Sequence, residues 1–427
     1  MSSWERLNEK FKQVLELPDL RKKILFTLAM FLVARVGTHI PAPGVDIERL
    51  TSMVNSNDLL GFFNMFSGGA FMRVSIFSLG VMPYINASII VQLLGVLVPK
   101  LEELQKEGES GRQKITQWTR YLTIVIAIIQ GLATVTWLQQ VGLVTTPGFL
   151  FTINTITVLT AGSVFLMWVG EQITIKGIGN GVSLLIFLNI VSRMPGAISD
   201  TLQKMSGNKF LIPVLLIGGI ISFVAVLLIT IVQLGVRQIP IQYVGKGFSG
   251  KNIIAKNTYL PVKVNVAGIM PVIFASVLMA IPSLVLKILP STMSGYVLLN
   301  KMFEQTHPVY LILEAILIMF FSFFYTAMMF DPEKVAENLK QSGGTIPGIR
   351  PGIETVEYLE KVVTRITWVG ATFLTFVAVG PVFIFSALNM PIFFQGTGII
   401  IMVGVGIDTI QQINAQLVMK NYKGFIK

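Results

Sequence analysis

The stretch Met65–Leu94 reads MFSGGAFMRVSIFSLGVMPYINASIIVQLL and contains two kinds of sequence. Its second half is apolar enough to enter a membrane. Its first half, with Gly68, Gly69 and Arg73, is too apolar for an exposed loop and too broken for a span. Part of it returns later: GVMPYINASII at Gly80–Ile90 is echoed by GIMPVIFASVL at Gly268–Leu278, with six of eleven positions identical. Pro83 and Pro271 lack an amide hydrogen, so each starts or kinks a helix. Gly/Pro-interrupted segments at matching places in two halves of a membrane chain point to a pathway at the repeat interface. Chance likeness between apolar segments is the alternative.

The rest of the chain supplies the membrane. Of its 427 residues 53% are hydrophobic and 13% charged, the latter roughly half the ~25% usual in soluble domains. Mean hydropathy is +0.71. Runs such as Phe210–Leu234 are too long for the buried strands of a soluble α/β enzyme, and about 20 apolar residues make about 30 Å of helix, enough to cross a bilayer core. Ten spans are expected, at 22–40, 76–98, 118–138, 152–170, 181–195, 211–234, 266–288, 308–330, 366–386 and 394–413. The expected fold is therefore an all-α polytopic membrane protein of two inverted five-helix halves, with spans two and seven equivalent and oppositely directed.

Lys and Arg concentrate in alternate loops. Arg6, Lys10, Lys12 and Arg21 precede span one, and Lys100, Lys106, Arg112, Lys114 and Arg120 follow span two. Arg237, Lys246, Lys251, Lys256 and Lys263 occupy loop 235–265; Lys334, Lys340, Arg350, Lys361 and Arg365 occupy loop 331–365. This asymmetry predicts cytoplasmic termini and accounts for the net charge of +11. Those two loops are longer than a connection needs, and basic enough to dock an acidic or RNA-containing partner. The expected organisation is an N-terminal arm at 1–21, halves at 22–195 and 196–413, and a tail at 414–427. Trp4, Leu7, Phe11 and Val14 lie at helical spacing, so the arm is expected to be amphipathic, resting on the membrane surface or a partner helix. Acidic and basic residues alternate before the first apolar run, which is not the pattern of a cleaved signal.

Catalytic chemistry is thin. There is no cysteine, which excludes disulfides and thiolate sites. His39 and His307 lack neighbours at ligand spacing, so no metal, cofactor or catalytic residue is expected. GIGNG at Gly177–Gly181 lacks the lysine of a phosphate loop and reads as a bent turn. Charges at membrane depth are functional candidates: Arg35 suits snorkelling or a helix-locking contact, while Glu314, the most interior acid, supports an ion-coupled solute transporter as the alternative function. Gln92, Gln130 and Asn265 fall on three spans and are candidates for an interhelical polar cluster. Ile85 and Ile89 share a helical face with Val81 one turn earlier; Ile273 with Val277, and Val182 with Ile186, repeat the spacing. Such stripes usually face core or lipid. The repeat makes Ile85 and Ile273 candidates for a shared axis.

HIPAPGVD (His39–Asp46), the opening stretch, KEGESGRQKITQWTRY (Lys106–Tyr121), EQITIKGIGNGVSLLIF (Glu171–Phe187), LPVKVNVAGIMPVIFAS (Leu260–Ser276) and GIRPG (Gly348–Gly352) follow in order a pattern that resembles the SecY family, the central subunits of bacterial protein-conducting channels. The resemblance covers nearly the whole chain. It implies a channel that passes unfolded secretory polypeptides across the membrane and releases apolar segments sideways into lipid, with no enzymatic step. It implies a short plug helix over about 62–71, that is Phe62, Phe63, Asn64, Met65, Phe66, Ser67, Gly68, Gly69, Ala70 and Phe71. A pore ring would fall on Val81, Ile85, Val182, Ile186, Ile273 and Ile401, and a lateral gate would include Gln92, Gln130 and Asn265. The implied partners are SecE-like and SecG-like small membrane subunits, the SecA motor ATPase, the ribosome, signal-sequence-bearing polypeptides and membrane lipid. Motor and ribosome would dock at Arg237, Lys246, Lys251 and Arg350, and the implied location is the bacterial plasma membrane. In one respect the chain departs from the pattern: after Arg237 the family's loop is typically arginine-rich, whereas RQIPIQYVGKGFSGKN is sparser in charge.

Overall fold

A computed structural model describes residues 17–46, 50, 67–205, 211–243, 258–288, 296–304, 306–387 and 396–423. The N-terminal arm before 17, the expected plug positions Phe62–Phe66, and Lys246 and Lys251 lie outside them. Helices lie over each stretch expected to span. In order they are α1 (Pro18–Gly37), α2 (Met82–Leu97), α3 (Pro99–Lys106), α4 (Glu109–Gln140), α5 (Phe149–Lys176), α6 (Gly181–Met205) and α7 (Leu211–Leu234). Then come strands β1 (Val236–Tyr243) and β2 (Thr258–Lys263), followed by α8 (Met270–Ile288), α9 (Tyr296–Met302), α10 (Pro308–Met329), α11 (Pro332–Gln341), β3 (Gly344–Thr345), α12 (Ile353–Ala387) and α13 (Gly396–Lys423).

Among the described residues, six helical stretches are long and apolar enough to cross a bilayer, or seven if α2 and α3, bent by 104° at their junction, form one span. The bend has a local cause: Val98 is extended and Pro99 cannot continue the α2 hydrogen-bond ladder. On α7 the exposed side chains include Ile217, Ile220, Phe223, Leu227, Ile231 and Leu234, a surface stable against lipid and not against water. The buried Thr160 and Thr375 hydroxyls find no partner among the described residues, but many other threonine hydroxyls inside the helices are satisfied one turn back: Thr123 donates to Thr119 O at 2.7 Å and Thr134 to Gln130 O at 2.9 Å. That self-satisfaction makes them tolerable in a medium without donors or acceptors.

The chain forms two compact units. One takes in Met1–Lys209, Val277–Tyr310 and Val405–Lys427, the other Phe210–Ser276 and Leu311–Gly404. In the first, α4 packs on α2 and α5, and α5 on α1 and α6. Arg120 of α4 and Glu171 of α5 form a two-pronged ion pair, both bonds at 2.8 Å, that fixes this helix pair near one end.

The second unit contains an element that the all-α expectation lacked. β1 pairs antiparallel with β2 from Val236↔Lys263 to Ile241↔Thr258, and with β3 at Gln242↔Thr345, giving the order β2-β1-β3. Ile239 and Ile241 point inward, while Gln238, Pro240 and Gln242 are exposed. Ile239 packs with Val262, Ala336, Ile346, Leu359 and Val363. This sheet joins the described parts of loop 235–265 to loop 331–365. Asp331 caps α11 by accepting from the Lys334 amide at 3.1 Å.

Candidate functional site

The starts of the two repeat segments, Gly80–Ile85 and Gly268–Ile273, adopt the same local structure, each within its own unit. Gly80 and Gly268 both take left-handed conformations, at φ +57° and +65°, which glycine adopts without a Cβ penalty. Pro83 and Pro271 each fall at the second residue of a helix, α2 and α8, where the missing amide costs nothing. Both prolines therefore start helices and kink neither. The glycine carbonyls are both met by side chains: Ser163 Oγ donates to Gly80 O at 3.0 Å, and Asn265 Nδ2 to Gly268 O at 2.9 Å. Each turn thereby places a branched aliphatic residue one turn into the helix. The Ile85 amide donates to Val81 O at 3.1 Å, and the Ile273 amide to Ile269 O at 3.2 Å.

The ring positions implied by the resemblance are apolar, and all but Val182 are buried. Val81, Ile85 and Ile186 are buried in the first unit, Ile273 and Ile401 in the second; Val182 is half-buried. Val182 owes its position to glycine. A Cβ on Gly181 would collide with the Gly170 carbonyl, and one on Gly170 would sit 3.0 Å from Val182 Cγ2. Asn180 caps α6, its Oδ1 accepting from the Val182 and Ser183 amides at 3.1 and 3.2 Å. GIGNG is thus a bent turn that lets α5 and α6 approach. Gly181→Val is expected to destabilise the chain by about 1–3 kcal/mol through overpacking. Thermal unfolding of the purified protein checks this; an unshifted midpoint contradicts the close approach.

Ser67–Phe71, the described part of the segment expected to form a plug, begins a strap in the first unit that runs on to Val74. Gly68 and Gly69 turn it at φ +66° and +89°. Ser67 Oγ accepts from the Phe71 amide at 3.1 Å, and Ser78 Oγ donates to Ala70 O at 3.1 Å. Phe71 stacks on Trp137 at 5.9 Å in a cluster with Ala42, Leu50, Val74, Leu138 and Leu143. The strap ends at Val74, whose φ of 40° places a β-branched residue in the left-handed region, a strained state that its buried surroundings hold.

Polar residues distribute as follows. Asn265 Nδ2 also donates to Gln233 Oε1 at 3.1 Å within the second unit, and Gln92 Nε2 donates to Ser88 Oγ on its own helix at 3.0 Å. Gln130 lines a cavity of about 30 Å³ with Phe71, Ser78, Asn86, Thr134 and Val277; Gln92 is not among the lining residues. Asn86 and Gln233 are additions to the expected polar set. Glu314 is buried on the α10 face that carries Ile318, Phe321 and Tyr325. Arg350 and Arg237 are exposed on the second unit. Among the described residues no group of three His, Asp or Glu side chains is placed to hold a metal.

Lipid-compatible helices, matched glycine–proline helix starts and buried aliphatic residues define a polytopic membrane protein with a built interior. Comparison with known proteins makes the assignment specific. The SecY family profile matches residues 75–410. The protein translocase subunit SecY of Streptomyces galbus is 43% identical over 448 aligned positions, covering 98% of this chain and 99% of its own. The chain belongs to the SecY family. Two solved structures share the fold, each covering 92% of this chain: one reported with the finding that the SecY plug domain stabilises the closed translocation channel and maintains a membrane seal (TM-score 0.65, 17% identity, 92% of that chain), and canine Sec61 in a ribosome–channel complex (TM-score 0.64, 16% identity, 92% of that chain). An ion-coupled solute carrier finds no support among these relatives.

Proposed function

We propose that this chain is a protein-conducting channel that passes unfolded secretory polypeptides across a bacterial plasma membrane and releases apolar segments sideways into lipid. Ten spans in two inverted halves, 22–195 and 196–413, would surround the pore, with Lys- and Arg-rich loops and both termini cytoplasmic. The observation that carries the reading is the pair of matched turns at Gly80 and Gly268, each presenting a buried isoleucine, Ile85 or Ile273, one turn into a helix. With Val81, Val182, Ile186 and Ile401 these form the pore ring. A ring of branched aliphatics excludes ions by dewetting and yields around an extended chain, because it offers that chain no specific bonds.

The segment 62–71 is the plug, seated outside the ring. Gln92, Gln130 and Asn265 line the lateral gate. Membrane subunits resembling SecE and SecG brace the halves. A SecA-like motor or a ribosome supplies the drive from the cytoplasmic side, docking at Arg237, Lys246, Lys251 and Arg350; the likeness to ribosome-bound Sec61 supports the ribosome as partner.

Photo-crosslinking tests the path. Probes are placed singly at Ile85, Ile186 and Ile273, with lipid-side controls at Phe223 and Leu97, and a secretory precursor is arrested in transit. Adducts at all three interior sites and none at the controls are expected. Clean interior sites with an engaged precursor would overturn the channel reading.

A further inference from the structure

We infer that Arg35 is the latch that holds the glycine strap closed, and so sets the threshold at which the channel opens; this rests on the plug reading above. Arg35 lies in the last turn of α1. Its Nη1 donates to the Gly68 carbonyl at 2.8 Å and to Ser192 Oγ of α6 at 3.0 Å. One guanidinium nitrogen therefore joins two helices, α1 and α6, and the strap. Ser192 is itself anchored, its Oγ also donating to Asn189 O at 2.9 Å. Gly68 is the only residue type that fits beneath this grip: a Cβ there would lie 2.6 Å from Asn189 Oδ1 and 3.2 Å from Arg35 Nη1. A second arginine, Arg193 on α6, places Nη1 3.2 Å from Met72 Sδ, further along the strap.

This arrangement suits a reversible closure. Ser67, Gly68, Gly69 and Ala70 bring little side-chain area, so apolar packing alone would hold this part of the strap weakly and without a fixed register. A charged donor on a backbone carbonyl supplies both strength and register, about an order of magnitude in an equilibrium. It also releases cleanly, because guanidinium and carbonyl both rehydrate once water enters. The strained Val74 at the end of the strap is the hinge, packed in one cluster with Leu138 and Leu143. Strap and hinge are thus adjacent, and Arg35 acts on the strap through its backbone. It is a positioning residue, with no direct part in moving the client.

The test uses the full chain in membranes with its partner subunits. Arg35→Met is expected to raise export of a precursor carrying a defective signal sequence, and resting ion leak, by about tenfold. Arg35→Lys keeps the charge but loses the fork, and should fall between parent and Arg35→Met. Ser192→Ala removes one anchor and should give about a two- to threefold rise. A precursor with an intact signal should pass at the parental rate in all three, a split that general loss of stability would not produce. The chain has no cysteine, so a spin label on Met72→Cys reports strap release in the parent and in Arg35→Met, whatever the chain transports. A label equally immobile in both, or parental leak and threshold in both Arg35→Met and Ser192→Ala, overturns the latch. A parent that exports no precursor while the label still loosens in Arg35→Met overturns the channel reading and leaves the latch standing.

Discussion

Replacing Ile85 and Ile273 by serine is expected to open the resting channel to ions and to precursors whose signal sequences are defective. Both side chains are almost fully buried, and burying an aliphatic side chain of this size is worth about 1.5–3 kcal/mol. At 1.4 kcal/mol per decade, each serine should shift the closed-to-open balance by about ten- to a hundredfold. Two further effects act in the same direction. A hydroxyl in the ring gives water a partner, so the constriction no longer dewets, and the closed state then contains a polar group whose bonding is poorer than in water. The expected result is export of signal-defective precursors at one to two decades above the parental level, with intact-signal precursors little changed. Val182→Ser should give a smaller rise, because Val182 is only half-buried. If the variants lower protein level or thermal stability while leaving signal selection and resting conductance as in the parent, these isoleucines are core residues and the ring assignment fails.

What the sequence made legible is the part coded by residues with unusual backbones. Gly80 and Pro83, with Gly268 and Pro271, reveal the repeat because a left-handed turn and a helix start each demand these residue types. GIGNG was legible as a bend for the same reason. The contact that makes Gly181 necessary was not, since its partner is the carbonyl of Gly170 on another helix, and a carbonyl has no residue signature. Arg35 shows the same limit: as a charge at membrane depth it stood out, but its acceptor at Gly68 lies 33 residues away on the backbone. Polar side chains divide similarly. Asn265 was identifiable as a buried amide, yet its partners, Gln233 and the Gly268 carbonyl, follow from packing. The sheet was missed because only Ile239 and Ile241 show the alternation, one on each side of Pro240, and a proline demotes a strand reading. The ladder tolerates it: Pro240 pairs opposite Tyr259, and β3 joins β1 only at Gln242 and Tyr243, beyond the proline.

Reversing the charge at Arg350 is expected to abolish most partner-driven translocation while leaving the membrane-embedded fold intact. The GIRPG turn is built so that the guanidinium has little to do within the chain. Gly348 and Gly352 bracket it at φ +80° and +116°. Thr355 Oγ1 donates to the Arg350 carbonyl at 2.9 Å, and the Arg350 amide donates to Glu354 Oε2 at 3.3 Å. These bonds tie the backbone to the start of α12. The side chain is 88% exposed and reaches Glu354 only at 4.0 Å, an exposed pair worth at most about 1 kcal/mol. Arg350→Glu should therefore leave thermal stability nearly unchanged. The sheet beneath the turn makes the presentation rigid: β3 is hydrogen-bonded to β1, and Ile346, at the start of the turn, is buried with Ile239 and Leu359. A rigid, outward guanidinium is a hot-spot geometry for an acidic or phosphate-bearing partner, where a bidentate contact gives specificity that lysine lacks. Losing such a contact and gaining a like charge should slow association and translocation by about tenfold or more, and the parental rate should fall with rising salt. Arg237 is exposed on β1 of the same sheet; Arg237→Glu should produce a smaller loss, because the charge around it is sparse. The measurement is the initial rate of precursor translocation, with motor or ribosome binding read separately, in the parent and in both variants across a salt series. Parental binding and rate in Arg350→Glu would mean that the partner grips another surface, and that GIRPG serves only to start α12.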